Sequence, residues 1–233
     1  MYVNYKRFDA LQESKGYFAN ENLLAKALNT MPPEALPLWR IAAPILVFLV
    51  LFGLGRTPQR PLLAILLRCC LAVIAYAMLQ DQFSVRLSKE YFTLGHAPIE
   101  GLDNPTLLGL AWGFLGGFPG GIVLGIPIAL AATLGPWPRL EGDELALPLG
   151  CLVAGVGLAS LIAGLSAWYN AGVVNIAVGE PWASWIALER QRNFFIVACA
   201  HFGTYLGGIS GGLLLTAWVV LRRRSKHLQI STK

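Results

Sequence analysis

Residues 106–134 read TLLGLAWGFLGGFPGGIVLGIPIALAATL, with no charged side chain. A helix needs about 20 apolar residues to cross the hydrocarbon core of a membrane, and it satisfies its backbone polar groups within the segment. This stretch exceeds that length. Four further apolar runs accompany it, at about 36–55, 61–80, 145–169 and 194–221. The composition agrees, since 55% of the 233 residues are hydrophobic and 13% are charged. Soluble domains carry about 25% charged residues, so too few charges remain here to coat a water-facing surface. A membrane barrel would need short alternating segments instead of long uncharged runs. The expected fold is all-α: a helical integral membrane bundle of five spans, four plus an extra N-terminal one. Arg40 and Pro44 interrupt that first run.

The chain divides into a polar tail at 1–35, a transmembrane domain at 36–224 and a basic tail at 225–233. Phe18, Leu23, Leu24, Ala27 and Leu28 recur at roughly helical spacing, which predicts a short amphipathic helix in the first tail. Arg222, Arg223, Arg224 and Lys226 follow the last apolar run directly and read as a cytoplasmic stop. Counting back from there places Arg56, Arg60 and Arg139 inside, with loops 81–105 and 170–193 outside. The N-terminal tail then falls outside as well. Trp168, Tyr169, Trp182 and Trp185 gather at the expected outer interface, where residues 181–192 read as a short interfacial helix. The net charge of +5 is largely that C-terminal cluster, and nothing else suggests nucleic acid. The four cysteines lie in apolar runs and have no metal-ligand spacing.

Glycines at 109, 113, 117, 121 and 125 step by four along the third span, and Gly203, Gly207 and Gly211 repeat the device in the fifth. Residues four apart share nearly one helix face, drifting by about 40° per step. Such stripes let a second backbone approach closely. They predict tight packing of these helices against each other or a neighbour, inside the chain or in an oligomer. Pro119, between Gly116-Gly117 and Gly120-Gly121, removes a backbone donor and marks the expected helix break.

Polar residues concentrate at 80–96. Asp81, Glu90, His96 and His201 are the candidate catalytic set, with His201 placed by the topology on the same side as this loop. Gln82, Arg86, Tyr91 and Tyr205 complete a cluster that either binds a ligand or pins a loop to helix ends. The alternation at 82–87 suggests a short extended segment there. No metal-protease, nucleophile-elbow, P-loop or dinucleotide motif occurs, and no residue pattern names a cofactor.

Asp81-Gln82, Glu90-Tyr91-Phe92-Thr93, His201, Tyr205-Leu206-Gly207-Gly208 and Arg222-Arg223-Arg224 together resemble an uncharacterised family of bacterial integral membrane proteins. The resemblance covers roughly residues 62–224. It implies a multi-pass protein of the bacterial inner membrane and supplies no activity. Gln80 stands where the family has histidine, and Phe202 where it has asparagine. Both departures count against a metal-binding or proton-shuttling site of that type. Three functions follow as expectations. The first is a non-catalytic scaffold or accessory subunit, partnered by lipid and by other subunits or its own copies. The second is a small transporter or channel using the broken third helix. The third is a membrane enzyme built on the outer Asp/Glu/His group.

Overall fold

The computed structural model describes residues 34–55, 60–173 and 178–232. The expected amphipathic helix in the first tail, and Arg56, lie outside these residues. The described chain is an all-helical membrane bundle. Its elements are α1 (Trp39–Gly55), α2 (Pro61–Leu87), the one-turn α3 (Glu90–Thr93), α4 (Pro105–Thr133), α5 (Ala146–Val173, after a 3-10 turn at Asp143–Leu145), the one-turn α6 (Trp182–Trp185) and α7 (Leu188–Ser231). Four helices are long and apolar enough to cross a membrane: Pro61–Leu87, Pro105–Thr133, Asp143–Asn170 and Leu188–Ser231. α1 has 17 residues, about 25 Å at 1.5 Å per residue, and is shorter than these.

Three boundaries differ from the sequence reading. α2 runs on to Leu87, so residues 82–87 are helical and not extended. Polar residues at a helix end keep the helix period when their side chains find partners. Gln82 and Arg86 do so, with Gln82 Nε2 donating to the Thr106 carbonyl at 3.1 Å and Arg86 Nη2 to Thr106 Oγ1 at 2.8 Å. α7 begins at Leu188, absorbing the last five residues of the expected interfacial helix and leaving Trp182–Trp185 as a separate turn. Pro119 breaks nothing, because α4 continues through it and through Pro127.

The glycines explain the packing. A Cβ at Gly113 would stand 2.5 Å from Met78 Cα, and one at Gly121 2.5 Å from Cys70 Cα. At Gly117 it would meet Ile74 Cα at 2.8 Å, at Gly109 the Asp81 carbonyl at 2.9 Å, and at Gly125 Leu66 Cδ1 at 2.8 Å. The whole stripe of α4 therefore lies on α2, most of it directly on the backbone. The α7 stripe lies on α5 in the same way, with Gly203 against the Ala159 carbonyl, Gly207 against Ala159 Cβ and Gly211 against Leu152. Each striped helix packs on the long helix before it in the chain. The two pairs meet where Leu124 of α4 faces Gly208 and Gly212 of α7.

One end of the bundle is held by an apolar cluster and an arginine. Ile65, Ile128, Ala129, Ala132, Leu215 and Val219 form a buried cluster there. Beside it Arg223, 3% exposed, gives its guanidinium to the carbonyls of Ala131, Leu134 (2.6 Å), Trp137 (2.7 Å) and Pro138 (2.9 Å) at the end of α4. These carbonyls lack helical partners, and a cation suits the negative end of a helix. Arg68 pairs with Asp143 at 3.2 Å near the same end, a solvent-exposed contact worth little.

Candidate functional site

At the other end, α2 and α7 bring two buried titratable side chains together. Asp81 is 5% exposed and His201 9%, with Asp81 Oδ1 3.4 Å from His201 Nε2. The same nitrogen lies 3.2 Å from Ser84 Oγ. Three residues on α2, Tyr76, Gln80 and Ser84, are spaced by four and share one face. Thr204, three residues past His201, donates to Gln80 Oε1 at 2.7 Å and stands 3.3 Å from the Tyr76 hydroxyl.

The short α3 lays Tyr91 on this group. The Tyr91 ring centroid is 4.5 Å from that of His201 and 4.8 Å from that of His96. His96 is held by its Nδ1, which donates to the Tyr91 carbonyl at 2.9 Å, and its ring packs 4.7 Å from Trp112 of α4. Burial pushes the Tyr91 phenol well above the ordinary tyrosine range, and neighbouring Tyr205 and Asp81 push it further. Tyr91 is therefore a neutral hydroxyl at any physiological pH.

These side chains form one end of a cavity of about 430 Å³ between the two helix pairs. Asp81, Tyr91, His96, Trp112, His201 and Thr204 supply its polar end. Beyond them the walls are Leu124, Leu149, Leu152, Val156 and the glycine backbone of α4 and α7. Val123, Tyr205 and Ile209 line it while being more than half exposed, so it opens sideways between α4 and α7. A cavity of this size, apolar with a few convergent polar groups, is typical of a small-molecule site.

Not every expected residue joins it. Glu90 turns away, accepting from Ser88 Oγ at 2.9 Å and lying 3.8 Å from Arg190. Gln82 and Arg86 bind α2 to the start of α4 instead. Asp81, Tyr91, His96, His201 and Tyr205 do come together. Tyr76, Trp112 and Thr204 join them without standing out in the sequence. A signal for Tyr76 exists in the i, i+4, i+8 run of polar residues Tyr76, Gln80 and Ser84 on α2. Among the described residues, no group of three His, Cys, Asp or Glu side chains could hold a metal ion.

Compared with known protein families, curated proteins and solved structures, the chain matches none.

Proposed function

We propose that this chain is a non-catalytic, multi-pass protein of the bacterial inner membrane, a scaffold or accessory subunit that holds a membrane-dissolved amphiphile between its helix pairs. The cavity carries this reading. It is polar at one end and apolar along the rest, and its mouth is lined by side chains that a bilayer would touch. An occupant could therefore enter from lipid and keep its polar group at the Asp81–His201 end. The transporter alternative loses one support, the expected break at Pro119, where α4 is continuous. The glycine stripes, which resemble glycine zippers, are filled by helices of the chain itself, so they leave no free groove of their own for a partner.

Five spans fit the contacts of α1. Before it, Leu36 bonds to strand-like backbone at 98–100, its N–H to the Pro98 carbonyl at 2.6 Å and its carbonyl to the Glu100 N–H at 3.0 Å. After it, Gly55 lies against Leu63 and Leu67 near the start of α2. The ends of α1 thus sit at opposite ends of the bundle. With Arg139 and the arginine cluster of α7 cytoplasmic, the polar end of the cavity and the start of α1 are outside.

Extraction in mild detergent tests the binding role. One amphiphile class should co-purify near one per chain and be lost in Gly116→Leu. Gly116 lines the cavity, and a Cβ added there would have nothing within 4 Å, so a leucine starts in open space at the cavity wall and should obstruct it. A second reading, an enzyme acting on that amphiphile, is favoured by the Asp81–His201 pair bordering the cavity, since a carboxylate and an imidazole together can take and return a proton. An enzyme would release an altered amphiphile, and His201→Gln would stop that release.

A further inference from the structure

Among the described residues, two buried side-chain polar atoms have no hydrogen-bond partner: Gln80 Nε2 and Trp112 Nε1. Both residues line the same cavity. They also stand at one depth. Gly109 of α4 backs onto the Asp81 carbonyl and Gly113 onto Met78 Cα, so Trp112 is level with the turn of α2 that carries Gln80.

The chemistry of these atoms is one-sided. An indole N–H and an amide NH₂ donate hydrogen bonds and accept none. The acceptor of the Gln80 amide is already used by Thr204. Buried donors left unpaired in a low-dielectric setting are costly, and native structures rarely keep them. Here both residues border one cavity whose remaining walls are mostly apolar. Among the described residues that line the cavity there is no Lys or Arg to receive an anionic group.

We infer that the occupant is a neutral lipid bearing two acceptor oxygens at its polar end, a carbonyl lipid whose oxygens take the protons of Gln80 Nε2 and Trp112 Nε1. This rests on the cavity being an amphiphile site. Two sources share that chemistry, prenylated quinones with paired ring carbonyls and glycerolipids with paired ester carbonyls. In either, the apolar body runs past Gly116 and Gly120 toward Leu124 and Val156, where glycine backbone leaves a slot for a ring or a chain.

The test is native mass spectrometry of the full chain released from detergent micelles. The probes are a naphthoquinone with two isoprene units, dioctanoylglycerol and, as the anionic control, dioctanoylphosphatidylglycerol. At least one neutral probe should bind saturably, and which one binds identifies the source. Gln80→Leu and Trp112→Phe should each weaken it about tenfold, roughly one hydrogen bond. Gly116→Leu should abolish it, and the anionic lipid should not compete. Binding that is lost in Gly116→Leu but unchanged in Gln80→Leu and Trp112→Phe would overturn the acceptor assignment and leave the cavity reading standing. The same holds if the anionic lipid binds as tightly as the neutral probes. No saturable binding, or binding indifferent to Gly116→Leu, would overturn the cavity reading and the inference with it.

Discussion

His201 Nε2 lies 3.4 Å from Asp81 Oδ1, joining α7 to α2 at the polar end of the cavity. The same two helices also meet through Ser84 and His201, Gln80 and Thr204, and Tyr76 and Thr204, so this group of contacts sets the width of the cavity at that end. A buried polar group that loses its hydrogen-bond partner is costly, by about 1–3 kcal/mol. His201→Leu should destabilise the protein by an amount in that range, about 1–3 kcal/mol. Asp81→Leu combined with His201→Leu should cost clearly less than the sum of the single variants. Unfolding from mixed micelles measures all three.

The α4 stripe gives a sharper contrast. Gly113→Leu and Gly121→Leu drive a side chain into the backbone of α2, whereas Gly116→Ala meets nothing within 4 Å. Overpacking of this kind costs about 1–3 kcal/mol, and here the obstructing atoms are main chain, so the upper part of that range is expected. Gly116→Ala should be neutral or slightly stabilising, as alanine favours helix over glycine. Thermal unfolding in detergent separates the two outcomes.

Arg223 should prove as important as any core residue. Its guanidinium serves four carbonyls at the end of α4. Hydrogen bonds to a charged group contribute about 1.5–3 kcal/mol each, so Arg223→Gln should lose at least about 3 kcal/mol. Arg223→Lys should rescue only part of this, since an ammonium cannot reproduce the planar fork. Arg222→Gln and Arg224→Gln, on exposed positions, should change stability little.

Much of this fold is legible in the sequence, and the exceptions have physical causes. The uncharged run at 106–134 dictates a membrane helix, and its glycine period dictates a close helix contact. The period does not name the partner, because α2 presents an ordinary apolar surface there, with Cys70, Ile74 and Met78 offering backbone between side chains. The end of α2 is hidden because Asp81 through Arg86 are largely polar in sequence, while in three dimensions their partners come from α4 and α7. Pro119 has the sequence of a break, and α4 absorbs it within the helix. Glu90 is the chemical equal of Asp81, but α3 turns it toward Arg190. The cavity itself leaves no trace in the sequence, since it is the gap between two helix pairs that meet at Leu124 on one level and through Asp81–His201 and Gln80–Thr204 on another.

The position of α1 makes a topological prediction. Cysteines introduced at Glu34 and Glu100, in a background without the four native ones, should label alike with a membrane-impermeant maleimide from outside. A cysteine at Ser225 should label only after permeabilisation. Opposite behaviour of the Glu34 and Glu100 sites would contradict the backbone pairing at Leu36 and the five-span reading together.

An electron cryomicroscopy map of the protein in lipid nanodiscs would show directly whether an amphiphile sits between the helix pairs. Elongated non-protein density is expected between α4 and α7, its polar end beside Trp112 and Gln80 and its body reaching Leu124. Gly116→Leu should remove this density without moving α2 or α4. A wild-type map in which α4 and α7 close together, with side chains filling the space between Tyr91 and Leu124, would rule such an occupant out.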